Sequence, residues 1–515
     1  MPMTALRSIA DVVFAHRHLG EKPAVRHGET TLSYGELADR CGRFAAFVAA
    51  RSVPGARVGL LLPNTPELVV GYFGAIAAGA VAVPVNHRLS PPEVGYVLAD
   101  SGATIVVTTA AHHARLAHLP EAQGVGTWVL VDDDAPGTVP FPATLAGPPR
   151  PAPAPCGGDD VACLLYTSGT TGFPKGAMIS HANALFNVGS CEKTLGYRAD
   201  DVGLIALPLF HVTALHSQLV ALLAAGATAV LQQDYDTRRM LELMAGERVS
   251  ALFLVPAIYK LMTLRQDEVR RHDLSRVRLA AYGGAPMDPD TIRTLRELLP
   301  GVELHNCYGL TECSSLGTVL PALEVLVRSD SVGLAVPGTE AEVRDEAGAR
   351  LPPGRPGELY LRGPHVVQGY HRAPEKTRAA LQGGWLRTGD VARMDAEGFV
   401  YILDRAKDMI NRGGEKIYGL EVENVLYAYP GVAEAAVAGV PHVVFGEVPV
   451  AFVVPLPGAT IDREGLRAHC ATRLADFKVP VEVKILEKLP RNPGGKVVKQ
   501  ELRRAWEARR KEDAR

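Results

Sequence analysis

Short apolar runs alternate along the first half of the chain with longer stretches whose apolar residues recur at helical spacing. Ser33-Tyr-Gly-Glu36 has the spacing of a capping box and opens an amphipathic stretch through Leu37, Phe44 and Val48. Arg57 to Pro63 and Thr104 to Thr108 read as buried strands, as do Val161 to Leu165, Val249 to Pro256 and Val277 to Tyr282. The segment from Ala221 to Leu231 returns to strand after Gly226. Leu68 to Val85 is 18 residues without a charge, long enough to consider as a membrane span. Gly71, Gly74 and Gly79 interrupt it, and Ala80 to Pro84 reads as a separate strand closed by a proline, so the expectation is helix, turn, strand. Strands alternating with helices imply parallel sheet.

Length changes this picture by multiplying it: 515 residues exceed one ordinary core and predict two to four folding units. Between Asp134 and Asp159 the composition shifts to proline, glycine and alanine, which predicts a stiff, exposed connector. Charge excludes more than it suggests. With 54 basic and 56 acidic residues and a net charge of -2, nothing asks for nucleic acid or an anionic membrane. The seven cysteines are scattered and never spaced as CxxC, which points to a reducing cytoplasm and away from structural zinc. The first residues lack the apolar core of a secretory signal, so a cytoplasmic protein without integral membrane segments is expected, as monomer or homodimer.

The chemistry is concentrated first in Tyr166-Thr-Ser-Gly-Thr-Thr-Gly-Phe-Pro-Lys-Gly176. Glycines let a backbone approach an anion, hydroxyls and backbone N–H groups donate to phosphate oxygens, and Lys175 adds a positive charge. The order differs from a Walker A loop, because Gly176 stands where a Ser or Thr would ligand magnesium. Farther on stand Tyr282-Gly-Gly-Ala-Pro286, Tyr308-Gly-Leu-Thr-Glu312, Trp385-Leu-Arg-Thr-Gly-Asp390, Asp404-Arg-Ala-Lys-Asp408, Gly413-Gly-Glu-Lys416 and Pro490-Arg-Asn-Pro-Gly-Gly-Lys496.

In content and order these strings resemble the signatures of the adenylate-forming superfamily, which includes acyl-CoA synthetases, aryl-CoA ligases, adenylation domains of peptide synthetases and beetle luciferase. The resemblance runs from about Ser33 to Lys499. It implies an α/β protein: a large N-terminal AMP-binding domain over 1–405, with sandwiched mainly parallel sheets and a small β-barrel around residues 320 to 403. A small mobile α+β domain over 406–515 would follow. It implies that Thr167, Ser168, Gly169, Thr170, Thr171, Gly172 and Lys175 cradle the ATP phosphates, with Gly283, Gly284, Ala285 and Asn306 lining the nucleotide. Tyr308 would stack near adenine, Thr311 contact phosphate, Glu312 ligand Mg²⁺, and Asp390 and Arg405 hold the ribose. Lys496 would bridge the substrate carboxylate and the α-phosphate. Lys407 would be the hinge, with Gly413, Gly414, Phe445 and Lys478 serving coenzyme A, while Lys499 and the segment from Arg503 to Arg515 read as tail charge.

The implied reaction is ATP-dependent ligation of a carboxylic acid to coenzyme A through an acyl-adenylate. By residue chemistry alone His211, in Leu207-Pro-Leu-Phe-His-Val212, reads as a satisfied core histidine; the resemblance puts it on the acid pocket. Thr213, Ser217, Cys307, Gly309, Ser315 and Leu316 join it there, small or apolar residues suited to an uncharged medium-chain or aryl acid. Val479 replaces an arginine found near that point in some relatives, which keeps a phosphopantetheinyl carrier protein open as acceptor. A luciferase-like oxygenase and a non-catalytic nucleotide-binding protein are further readings; intact Lys175, Glu312, Asp390 and Lys496 oppose the second.

Overall fold

The computed structural model describes residues 6 to 513, apart from 168–173, 286, 407 and 493–495. Two large sheets form the N-terminal part. In the first, Val139–Pro140, Thr127–Leu130, Ala103–Thr108, Arg57–Leu61, Val81–Pro84, Val161–Thr167 and Lys175–Ser180 lie in that spatial order. All neighbours are parallel except the last pair, which is a hairpin. The second has nine strands. Its parallel centre runs Glu303–Leu310, Leu279–Gly283, Ala251–Leu254, Val202–Ile205, Thr228–Leu231 and Pro23–His27, and antiparallel strands finish both edges.

The capping box forms as the sequence predicts: Glu36 N–H donates to Ser33 Oγ at 3.2 Å and Ser33 N–H to Glu36 Oε2 at 2.9 Å, opening the helix Tyr34–Ala49. The uncharged segment is helix Pro66–Ala77, a left-handed turn at Gly79 and strand Val81–Pro84. Only Gly79 breaks the helix. Gly71 and Gly74 lie inside it, and their missing side chains let it close on its neighbours: a Cβ on Gly74 would stand 2.9 Å from the Phe44 ring and 3.0 Å from the Cys41 carbonyl.

The proline-rich connector is exposed or half-buried over most of its length, as expected, but it is strapped down at several points. Ala154 N–H donates to the Ala77 carbonyl, Arg150 N–H to that of Gly42, and Phe141 and Thr144 are buried. Its backbone supplies ladder and loop hydrogen bonds that a free linker would leave to water.

The expected small barrel takes the form of a five-stranded antiparallel sheet, Glu340–Arg344, Gly357–Arg362, Leu381–Gln382, Trp385–Met394 and Val400–Arg405, around its own apolar cluster. Strand Ile410–Arg412 already belongs to the C-terminal sheet, so the changeover falls between Arg405 and Ile410; Lys407 lies outside the described residues. The C-terminal part pairs Val432–His442 with Gly446–Pro455 and covers that sheet with helices Gly419–Tyr427, Arg463–Ala471 and Lys499–Asp513. The last helix is no loose tail. Leu502 and Trp506 are buried and the Trp506 indole N–H donates to Glu482 at 2.8 Å. Arg503 pairs with Glu447 at 2.8 Å.

Candidate active site

The strands that flank the phosphate-loop sequence, Val161–Thr167 and Lys175–Ser180, pair antiparallel in a register that places Thr167 opposite Lys175. Ser168, Gly169, Thr170, Thr171 and Gly172 lie outside the described residues. A Cβ on Gly176 would come 3.0 Å from the Tyr166 ring, which explains the glycine; the Tyr166 hydroxyl donates to Asp100 at 2.6 Å.

Strand Glu303–Leu310 runs down the middle of the site and sends its side chains alternately to its two faces. Asn306 and Tyr308 share one face. The Asn306 amide donates to the Ser331 carbonyl at 2.8 Å, so this side chain also ties the strand to the loop beside it. The Tyr308 hydroxyl donates to Asp390 Oδ2 at 2.6 Å, and Arg405 Nε lies 3.3 Å from Asp390 Oδ1. Asp390 is 4 % exposed. Burial pushes its carboxyl above the usual range, against the pull of Arg405, the Tyr308 hydroxyl and the Lys496 charge. The hydrogen bond from Tyr308 and the ion pair with Arg405 leave lone pairs on both oxygens, the requirement for accepting from a vicinal diol.

Cys307 and Gly309 point to the other face. Cys307 is buried in the main apolar core, where burial drives its thiol well above the ordinary range and leaves it unreactive. A Cβ on Gly283 would sit 2.2 Å from the Cys307 carbonyl, and one on Gly309 would strike the Ser315 carbonyl, so both glycines are demanded by strand contact. Gly284 follows with φ +81° and Ala285 continues the turn.

Ser217 and Ser315, far apart in sequence, meet at 2.7 Å. Asn187 joins them: its amide donates to Ser217 Oγ at 3.3 Å and its carbonyl accepts from Leu316 N–H at 3.0 Å. Asn187 has no exposed surface, and no motif in the sequence marks it. Thr213 and Ser217 ride on Thr213–Val220, wound as a π-helix, the wide geometry that occurs mostly as short bulges at functional sites. Two residues before it His211 packs on Phe210 at 4.6 Å between centroids. Burial, reinforced by the charges of Lys496 and Arg88, lowers its pKa to about 4, so it stands neutral at physiological pH.

Glu312 lies on a single turn, Thr311–Cys313, directly after the central strand. Its Oε1 accepts the Tyr370 hydroxyl at 2.6 Å, and Lys175 Nζ sits 5.0 Å from the centroid of the same ring. Burial and the Glu312 charge raise the Tyr370 pKa, keeping it a donor. Sequence reasoning missed Tyr370, which belongs to none of the quoted strings. A hard divalent cation takes carboxylate and phosphate oxygens and needs only one or two protein ligands, so the Glu312 carboxylate fits Mg²⁺.

Asn492 N–H donates to the Lys496 carbonyl at 2.9 Å, and Lys496 N–H donates to Asn492 Oδ1 at 2.9 Å. The Lys496 charge contributes to the lowered pKa of His211 and opposes the raised one of Asp390. Gly413 and Gly414, both with positive φ, turn between two short strands; Gly413 N–H donates to the Phe445 carbonyl at 2.7 Å, and Arg412 stacks on the Phe445 ring. Lys478 does not join them. Its ammonium is held 2.7 Å from both oxygens of Glu421. Lys499, expected as tail charge, is largely buried, 2.7 Å from Glu423 and 3.9 Å from Asp404.

The family model described as AMP-binding enzyme matches residues 13–371, and that of the AMP-binding enzyme C-terminal domain matches 421–496. The chain belongs to the AMP-binding enzyme family. Members of this adenylate-forming family close to the chain include a feruloyl-CoA synthase from Amycolatopsis sp, 40% identical over 484 residues, covering 94% of this chain and 96% of that one. A long-chain-fatty-acid–CoA ligase, FadD13, from Mycobacterium tuberculosis is 36% identical over 489 residues, covering 93% and 94%. Among solved structures, ATP-bound MatB from Rhodopseudomonas palustris superposes with a TM-score of 0.88 at 34% identity, covering 97% of this chain and 99% of that one. The chain is thus an AMP-forming acid–thiol ligase. Among the described residues no helix is long and apolar enough to cross a membrane.

Proposed function

We propose that this enzyme activates an uncharged medium-chain or aromatic carboxylic acid with ATP and passes the acyl group to the thiol of coenzyme A. A carboxylate oxygen attacks the α-phosphorus, the bond to pyrophosphate breaks, and an acyl-adenylate forms. The thiol sulfur then attacks the acyl carbon, the carbon–oxygen bond to AMP breaks, and the thiol proton passes to solvent. The observation that supports the reading is the buried Asp390 carboxylate held by Tyr308 and Arg405, with Tyr370 joining Glu312 to Lys175; the resemblance adds Lys496 at the reacting carboxylate. An ammonium there meets the carboxylate and the α-phosphate together, where negative charge accumulates during attack. Thr311 and Lys175 add donors for the phosphates, and bound Mg²⁺, held by Glu312, would neutralise phosphate charge.

Neutral His211 gives the acid end no positive charge for a second carboxylate. Cys307, Leu316, Ser217 and Ser315 are uncharged and buried, which favours an uncharged acyl group. The named relatives act on an aromatic acid in one case and a long-chain fatty acid in the other.

One observation favours a second acceptor. Lys478, the cation expected to meet the phosphates of coenzyme A, is paired with Glu421, which supports a phosphopantetheinyl carrier protein as the alternative. Pyrophosphate release across aryl, medium-chain and long-chain acids, with and without coenzyme A, tests both. A thioester and a faster steady state with coenzyme A support the ligase; pyrophosphate without any thioester turns the search to a carrier protein. No pyrophosphate with any acid removes the reading.

A further inference from the structure

The segment around Tyr370 touches three separately built parts of the phosphate end of the site. Its backbone extends the edge of the hairpin strand: His371 N–H donates to the Gly176 carbonyl at 2.8 Å, Met178 N–H to that of Gly369 at 2.9 Å, and Tyr370 bridges Ala177. Three residues earlier, Val367 N–H donates to the Glu312 carbonyl at 3.0 Å. The segment is itself clamped, since Tyr370 N–H donates to Thr377 Oγ1 at 2.9 Å and a Cβ on Gly369 would stand 2.4 Å from the Thr377 methyl. From this frame the Tyr370 side chain, 8 % exposed, reaches Glu312 Oε1 at 2.6 Å with its hydroxyl and lies beneath Lys175 with its ring.

We infer that Tyr370 is a positioning residue for adenylation, its hydroxyl setting the orientation of the Glu312 carboxylate and its ring seating the Lys175 ammonium. One donor on one oxygen fixes the carboxylate plane and leaves the other oxygen for a cation, the usual division of labour around a ligating carboxylate. A ring face under Lys175 limits where that mobile charge sits without neutralising it. The two contacts are separable, because phenylalanine keeps the ring and loses only the hydroxyl. This inference rests on the adenylation reading above.

Tyr370→Phe and Tyr370→Leu test it in the full-length enzyme with three readouts. Pyrophosphate release gives the Mg²⁺ requirement and the KM for ATP. Binding of Mn²⁺ in the presence of a non-hydrolysable ATP analogue, read by electron paramagnetic resonance, reports the metal site without turnover. Thioester formation from supplied acyl-adenylate reports the step that needs neither group. Tyr370→Phe should weaken Mn²⁺ binding and raise the half-saturating Mg²⁺ about tenfold, the loss of one charge-assisted hydrogen bond. The supplied-adenylate step should stay within about twofold, and Tyr370→Leu should add a further rise in the KM for ATP through Lys175. Wild-type metal binding in a folded Tyr370→Phe enzyme overturns the inference, as does equal loss of both half-reactions. If the wild type releases no pyrophosphate with any acid, the adenylation reading fails, and the Mn²⁺ measurement still decides whether Tyr370 sets Glu312.

Discussion

At the scale of single residues the site separates charge that must act from polarity that must stay put. Lys496 is the group proposed to act, its backbone carbonyl accepting from Asn492 N–H. Lys496→Ala should lower pyrophosphate release by at least about a hundredfold and spare thioester formation from supplied acyl-adenylate. Parallel loss in the two assays would refute that assignment. Asn187 stays put. It bonds Ser217 and the Leu316 N–H from a fully buried position, so Asn187→Leu strands the Leu316 N–H, leaves Ser217 with Ser315 alone, and should cost about 1–3 kcal/mol of stability. A urea midpoint equal to wild type would show that Ser217 and Leu316 find other partners. Tyr370 belongs between these cases, fixed by its backbone and working through Glu312 and Lys175.

Elements meet where the two parts of the chain join. Lys499 opens the last helix, Glu423 lies on Gly419–Tyr427, and Asp404 ends the last strand of the five-stranded sheet; one ammonium faces two carboxylates there. Asp404 Oδ2 also accepts the Gly419 N–H at 2.5 Å. Lys499→Met leaves both carboxylates buried without their cation, a change that costs about 3–5 kcal/mol in comparable buried pairs. The expected result is a lower urea midpoint and faster proteolysis between Arg405 and Gly419, with an unchanged midpoint fitting a solvated tail lysine instead. Elsewhere the close fit of Gly74 against Phe44 and of Gly283 against the Cys307 carbonyl shows that several glycines are set by packing between elements and not by turns.

For the whole molecule, buried histidines set the acid limit. His216 and His365 have no exposed surface, and burial lowers both, like His211, to about 4. The unfolded chain takes up these protons near pH 6.5 and the native protein only near pH 4, so their stabilisation is complete above about 6.5 and lost as pH falls toward 4. Asp404 runs the other way. Burial raises it to about 6, so its contribution is present below about 4 and lost as pH rises through 6. Burial raises Asp390 in the same direction, and three histidines outweigh these two carboxyls: the urea midpoint should rise from pH 4.5 to 6.5, and Asp404→Asn should steepen that rise. A flat or falling midpoint over this interval would contradict the balance.

The sequence by itself determined what is local. The capping box at Ser33 and Glu36, the strand before the phosphate loop and the hydroxyl–glycine–lysine chemistry of residues 166 to 176 each depend on neighbours within a few positions. The signature strings carried Tyr308, Glu312, Asp390 and Lys496 for the same reason. Only the tertiary structure decided which distant groups complete them. Tyr370 comes to Glu312 by strand pairing across the chain, Asn187 comes to Ser217 from a helix whose sequence is ordinary, and Lys478 turns to Glu421. Lys499 was misread because charge looks solvent-exposed in isolation, whereas its burial follows from what packs over it. Neither long-range pairing nor burial is written in residue spacing; both follow from how the sheets and helices close on one another.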